Sequence, residues 1–239
     1  MIPDTKNIVE VKNVSFSYIP GNPVLKDIDL YIHQGDYLGI VGPNGGGKST
    51  LIKLILGLIR PQLGSIAMFC KNVAYVGQKA TDFDQKFPAT VQDVVSMGRY
   101  SERGLFKGLS KEDKQLVSNA IEQVDMSDFK NRLIGELSGG QQQKTFIARA
   151  LAQQPEIIFL DEPTSGVDQT SQVQFYKILK KLNQDLGITL VLISHDVDVI
   201  TKEVTKIAAI NRDLVFYGPS ENFIKEEHGI KFIAHHTNA

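Results

Sequence analysis

The 239-residue chain carries 26 Lys and Arg against 27 Asp and Glu, a formal net charge of −1, with 42% hydrophobic and 22% charged residues. That composition suits one large globular domain or two small ones, and it lacks the clustered cationic excess of a nucleic-acid surface. The apolar runs fall short of the ~18 residues a membrane span needs, no signal-like segment opens the chain, and a single cysteine, Cys70, excludes an internal disulfide and suits a reducing, cytosolic compartment.

Residues 8–18 alternate apolar and polar side chains, which predicts a half-buried strand. Pro20-Gly21-Asn22-Pro23 is a turn, and residues 24–33 predict the return strand. Tyr18 closes the first strand, where its ring either stacks on a nucleotide base or packs on its own sheet. A short apolar strand, Tyr37–Val41, then feeds Gly42-Pro43-Asn44-Gly45-Gly46-Gly47-Lys48-Ser49-Thr50, and the apolar run Leu51–Ile59 predicts a helix behind it. This is the pattern G-x-x-x-x-G-K-[ST] in the strand–loop–helix context that gives it meaning. A polyphosphate needs converging donors and a backbone that can come close, and glycine N–H groups at a helix start supply both. Lys48 is expected to reach the β- and γ-phosphates, and the Ser49 hydroxyl to ligate Mg2+.

Short β segments follow at Ser65–Phe69 and Asn72–Val76, ended by Gly77-Gln78. Lys79–Pro88 is polar and reads as a loop. Thr90–Gly98 predicts a helix capped by Thr90 with Asp93 three residues on. Arg99–Leu109 is glycine-containing and is expected to be mobile, and Ser110 opens another helix running to about Val124. Asp128–Leu133 reads as a short element. Residues 79–135 therefore form a mostly helical insertion in an alternating β and α chain.

Leu137-Ser138-Gly139-Gly140-Gln141 opens a helix reaching about Gln153. Its glycine-rich start is a second anion site by the same dipole and free N–H argument. If it served the same nucleotide, a second copy of the chain would have to supply it. Ile157–Asp161 is a continuous apolar strand, as in a sheet covered on both faces, and it ends in Asp161 and Glu162. Strand ends of a parallel sheet face the ligand crevice. Asp161 is therefore the expected Mg2+ residue, and Glu162 the general base that polarises water for attack on the γ-phosphate. A helix over Asp168–Leu186 ends at Gly187, and the buried strand Ile188–Ser194 ends at His195, which would face the same crevice. Strands at Ile207–Ile210 and Asp213–Tyr217 and a short helix from Ser220 complete the chain.

In this order, the phosphate loop, Leu137–Gln141 and the Asp-Glu strand end resemble the ATP-binding subunits of ABC transporters over roughly residues 8–220. The resemblance implies an α/β fold: a P-loop NTPase core with a mainly parallel sheet (1–78 and 136–220), an N-terminal antiparallel β subdomain, an inserted α-helical subdomain (79–135) and a C-terminal tail (221–239). It implies that Gly42–Thr50 is Walker A and Ile157–Asp161 Walker B. Glu162 is then the catalytic glutamate, Gln78 the Q-loop glutamine that senses Mg2+ and the membrane partner, Thr164–Asp168 the D-loop and His195 the switch histidine, and Tyr18 takes the adenine-stacking role. The family picture is a homodimer holding two ATP molecules, each between Gly42–Thr50 of one copy and Ser138-Gly139-Gly140 of the other. The helical segment docks on integral membrane permease subunits at the cytoplasmic face of the membrane. Two positions depart from the pattern: Gly46 where Ser or Ala is usual, and Lys144 where Arg is common.

The run Gln78…Phe87-Pro88…Thr90–Arg99 and Thr164–Asp168 further resemble the ATPases of zinc/manganese importers, which implies an extracellular or periplasmic metal-binding protein as indirect partner. Siderophore–iron importer ATPases share part of this pattern, and a soluble assembly ATPase of the same fold is a competing reading. A phosphate-loop kinase or GTPase fails on the missing Asn-Lys-x-Asp motif and the presence of Leu137–Gln141. His228, His235 and His236 lack the cysteine or carboxylate spacing of a metal site and read as a solvated tail.

Overall fold

The computed structural model describes residues 6–78, 87–103 and 108–225, without the side chains of 101–103. Two compact units are seen. One combines the chain up to Lys71 with the stretch from Asn183 onward, and the other is Asn72–Leu182.

In the first unit, β1 (Asn7–Phe16) pairs antiparallel with β2 (Leu25–His33), and β3 (Tyr37–Val41) leads into α1 (Lys48–Ile55). β4 (Leu63–Met68) pairs antiparallel with the other edge of β1. The alternation read from the sequence is present: Val9, Val11 and Val14 of β1 and Ile28, Leu30 and Ile32 of β2 are buried. It skips a residue at Asn13, whose φ of 50° accompanies a register shift between Val11 and Val14. α1 starts three residues before the apolar run because Gly47 ends the loop, and it stops at Ile55 with Gly57 at φ 69° beyond.

Numbering runs on through the second unit, so the later elements of the first are β7 (Thr189–Ile193), α6 (Val197–Glu203), β8 (Lys206–Asn211), β9 (Asp213–Pro219) and α7 (Ser220–Lys225). β3 lies between β7 and β8, parallel to both, and β9 returns antiparallel to β8. Every residue of β3 and β7 is buried, as the continuous apolar strands require. The apolar pattern alone does not predict α6, which is seven residues long and rich in β-branched side chains. Packing overrides propensity there: Ile200 is fully buried, and Asp196 caps the helix by accepting from Val199 N at 3.1 Å.

In the second unit, β5 (Val73–Val76) runs parallel to β6 (Ile157–Asp161), with Tyr75 beside Phe159 and Val76 beside Leu160. Around them are α2 (Val91–Arg103), α3 (Lys111–Gln123), α4 (Gly139–Leu151) and α5 (Gln169–Leu186), with 3-10 turns at Ser127–Phe129 and Ile134–Glu136. Gly187 at φ 66° returns its N–H to Asn183 O, the expected end of α5.

One expectation is overturned. Arg99 does not begin a mobile stretch, because α2 continues through Arg103. Gly98 is a contact point rather than a stop: a Cβ there would run into the Arg149 carbonyl of α4. Arg99 is 5% exposed and donates to Asp113 Oδ1 at 3.1 Å and to Ala152 O at 2.9 Å, tying α2 to α3 and to the end of α4. Asp113 is also the N3 partner in the Ser110 capping box, so one carboxylate both starts α3 and receives the α2 guanidinium. The loop read at 79–88 lies outside the described residues except for Phe87 and Pro88, as do the tail histidines. Among the described residues, no helix is long and apolar enough to cross a membrane.

Candidate functional site

The loop Gly42–Thr50 is shaped by backbone approach. Gly47 is the N-cap of α1 at φ 102°, a left-handed conformation that a side chain would strain, and no side chain caps the helix. A Cβ at Gly47 would also lie 2.5 Å from Leu25 Cδ2. The α1 start therefore keeps the N–H groups and dipole that an anion needs. Gly46 has ordinary backbone angles but no room: a Cβ there would stand 3.0 Å from both Ile210 O and Pro43 O. Its own N–H donates to Pro43 O at 3.0 Å, and its carbonyl accepts from Arg212 N at 2.9 Å. The extra glycine thus lets the loop press against the β8–β9 turn, which holds it in place. Lys48, 6% exposed, lies back across the loop and donates to Gly42 O at 2.7 Å and Pro43 O at 3.0 Å.

Tyr18 is 57% exposed, stands edge-on to Phe16 at 4.9 Å, and its hydroxyl comes within 3.5 Å of Thr50 Oγ1. It both packs on its own strand end and presents a free ring face beside the start of α1. His195 is exposed at the carboxyl end of β7, between Ser194, whose N–H bonds Ile40 O of β3, and the helix cap Asp196.

In the second unit, the two carboxylates sit at the tip of β6 as the sequence indicates, and β5 and the residues just after it supply a donor to each. Gln78 Nε2 donates to Glu162 Oε2 at 2.8 Å, and Tyr75 Oη donates to Asp161 Oδ2 at 3.3 Å. Burial, with the Asp161 charge beside it, pushes the Tyr75 phenol up to about 12, so it remains a protonated donor at neutral pH. Asp161 is 9% exposed, whereas Glu162 is half-buried and adopts φ 48°. A non-glycine residue in that region is strained by about 1 kcal/mol or more, and such strain gathers at functional sites. The turn that follows is closed by Ser165 N donating to Glu162 O at 3.2 Å. A cavity of about 10 Å³, one water in size, lies behind Glu162 and Gln78. Gln143 of α4 lines it, and its buried Oε1 has no hydrogen-bond partner among the described residues. Sequence reasoning missed Tyr75 and Gln143, which look like an ordinary strand residue and an ordinary helix residue.

Ser138 caps α4 in a full capping box: it accepts from Gln141 N at 3.4 Å, and Gln141 Oε1 accepts from Ser138 N at 3.0 Å. Gly139 and Gly140 carry the first helical N–H groups, and Gly140 leaves just enough space for Ser171, which a Cβ would approach to 2.8 Å. The helix start opens on a cleft of about 250 Å³ that Lys144, Asp125 and Gln174 also line. Asp168 accepts from Ser171 N at 3.0 Å at the head of α5, and the Ser171 hydroxyl and N–H hold its carboxyl below the usual carboxylate range.

Each unit by itself offers chemistry suited to a polyphosphate with a hard cation: the first an uncapped glycine-rich helix start, an ammonium and the hydroxyls of Ser49 and Thr50, the second carboxylates at a strand end. Among the described residues, no group of three or more His, Cys, Asp or Glu is arranged to cage a metal ion.

Residues 25–165 match the family described as ABC transporter. The chain is 42% identical over 225 residues to the zinc uptake system ATP-binding protein ZurA of Listeria innocua, covering 90% of this chain and 87% of that one. It is 43% identical over 226 residues to the manganese transport system ATP-binding protein MntB of Listeria monocytogenes, covering 92% and 93%. Among solved structures, an ABC transporter in an inward-facing conformation superposes with a TM-score of 0.86 at 29% identity, covering 96% of this chain and 90% of that one. A dimeric ATP-binding cassette bound to ADP and Pi superposes with a TM-score of 0.71 at 28% identity, covering 89% and 98%.

Proposed function

The chain belongs to the ABC transporter family as an ATP-binding subunit, and from that premise we propose that it hydrolyses ATP to drive a divalent metal ion, zinc or manganese, through separate membrane-spanning subunits. The observation that carries the cargo is the near-equal identity, 42% and 43% over about nine-tenths of the chain, to one zinc and one manganese subunit. The transported metal is then cargo for the membrane-spanning subunits.

In this reading Gly42–Thr50 grips the phosphates through backbone N–H groups, Lys48 swings from its carbonyl partners to the β- and γ-phosphates, and Tyr18 offers its exposed face to the adenine. Ser49, Gln78 and Asp161 would hold Mg2+, which would neutralise charge developing on the transferred phosphoryl group. Glu162, pre-aimed by its backbone and by Gln78, takes the proton of the attacking water, and His195 steadies the γ-phosphate. Ser138-Gly139-Gly140, with Gln141 and Asp168, serves the nucleotide of a second copy, so turnover belongs to an ATP-bound homodimer. This is supported by the glycine-rich start of α4 and by the dimeric form of a related cassette. The subunit works at the cytoplasmic face of the membrane, with the helical segment 79–135 against its permease and a metal-binding protein delivering cargo from outside. The test is transport by the chain reconstituted with its permease. ATP-dependent uptake of labelled zinc or manganese is expected, and ATP turnover that moves neither metal would rule this cargo out.

A further inference from the structure

The geometry points to Tyr75 as a positioning residue for the Asp161 carboxylate, held in place by the bare backbone of Gly77. The inference rests on the reading of Asp161 as a Mg2+ residue.

Side chains alternate along a strand, and partners in parallel register share a face. Tyr75 is registered with Phe159, and Asp161 lies two residues beyond Phe159, so Tyr75 and Asp161 are on the same face with the carboxylate one step nearer the strand tip. The phenol spans that step, and its hydroxyl donates to Asp161 Oδ2 at 3.3 Å. Gly77 makes this path possible. It lies two residues on from Tyr75, and a Cβ there would stand 3.1 Å from Tyr75 Cε1 and 3.2 Å from Tyr75 Oη. A methyl group would push the ring off the line that reaches Asp161. Tyr75 is not a core anchor, since 39% of it is exposed. Asp161 is 9% exposed, and a buried carboxylate requires donors. A donor fixed on one oxygen sets the rotation of the carboxylate and so the direction its lone pairs offer a cation, as partners outside a metal's own ligands do elsewhere. Gln78, one residue past Gly77, does the same for Glu162, so one strand end orients both carboxylates.

The test is the Mg2+ dependence of binding of a fluorescent ATP analogue to the full-length chain carrying Glu162→Gln, which is expected to hold nucleotide without turnover. The long, half-exposed hydrogen bond predicts that Tyr75→Phe raises the Mg2+ concentration at half-saturation about fivefold, with metal-free binding unchanged. Gly77→Ala, which keeps the hydroxyl but displaces it, is expected to shift the midpoint in the same direction. Asp161→Asn is expected to shift it more than about tenfold and to absorb the Tyr75→Phe effect in the double variant. An unchanged midpoint in Tyr75→Phe while Asp161→Asn shifts it overturns the role of Tyr75. So does a Tyr75→Phe shift that persists in the Asp161→Asn background. A shift in Tyr75→Phe with none in Gly77→Ala overturns the part given to Gly77. An unchanged midpoint in Asp161→Asn overturns the reading of Asp161 itself.

Discussion

The phosphate loop and the carboxylate tip are built on opposite plans. The loop is held by backbone against backbone: Gly46 is wedged between Pro43 O and Ile210 O, and its carbonyl is tied to Arg212 N. Side chains hold the carboxylate tip, with Tyr75 reaching Asp161 and Gln78 reaching Glu162 across two parallel strands. The loop must close on a ligand larger than any side chain, so it excludes side chains. The tip must aim two oxygen pairs, so it recruits donors. Adding a methyl group is therefore the damaging change in the loop, and removing a hydrogen bond is the damaging change at the tip.

The largest effect is expected at the loop residue whose side chain carries a positive charge. Lys48→Ala is expected to weaken ATP binding about 100-fold, measured by equilibrium titration, because a buried charge-assisted contact is lost. Affinity within about threefold of wild type would place the phosphate elsewhere. At the tip, Gln78→Ala is expected to slow turnover about tenfold while ATP affinity measured without Mg2+ changes little, since Glu162 loses its orienting donor and the loop is untouched. A change in affinity alone would break the proposed division between the two regions. In the loop, Gly46→Ala sharpens the comparison. A less flexible residue would stabilise an open turn by a few tenths of a kcal/mol, but the crowding at two pinned carbonyls outweighs this, and denaturant unfolding is expected to show a loss of about 1 kcal/mol. A gain would mean that the β8–β9 turn can yield.

The smallest effect lies away from both regions. Asp93 accepts from the Thr90 hydroxyl at 2.6 Å and the Thr90 N–H at 2.9 Å at the head of α2, and these bonds lower its pKa from 3.8. A lowered folded-state value gives stability that is present above pH 3.8 and is lost as pH falls through the folded value. The group is exposed and solvent-screened, so Asp93→Asn is expected to cost about 0.5 kcal/mol at neutral pH. The thermal-melting gap between the two proteins should close on acidification below that range.

Much of this was legible in the sequence where chemistry is written in fixed spacing. The strand before Gly42, the lysine and hydroxyls after it, the acidic end of Ile157–Asp161, the cap at Thr90 and the helix starts at Ser110 and Ser138 all follow from short-range rules. What escaped depends on distant neighbours. Gly98 reads as a helix stop but is a contact point, because Arg149 O comes from fifty residues away. Gly46 reads only as a departure from the usual Ser or Ala but is a close fit against Ile210, for the same reason. Tyr75 is one more aromatic residue in a strand until parallel register brings β6 beside it. α6 is hidden by poor propensity, and the strained φ of Glu162 leaves no trace in residue type.

The most direct test of the account is Glu162→Gln in the purified chain, measured for ATP binding and ATP hydrolysis together. The amide keeps the shape and loses the basicity, so hydrolysis should fall to background while MgATP binding survives. Hydrolysis near the wild-type rate would contradict the assignment of Glu162 as the base on which the proposed chemistry depends.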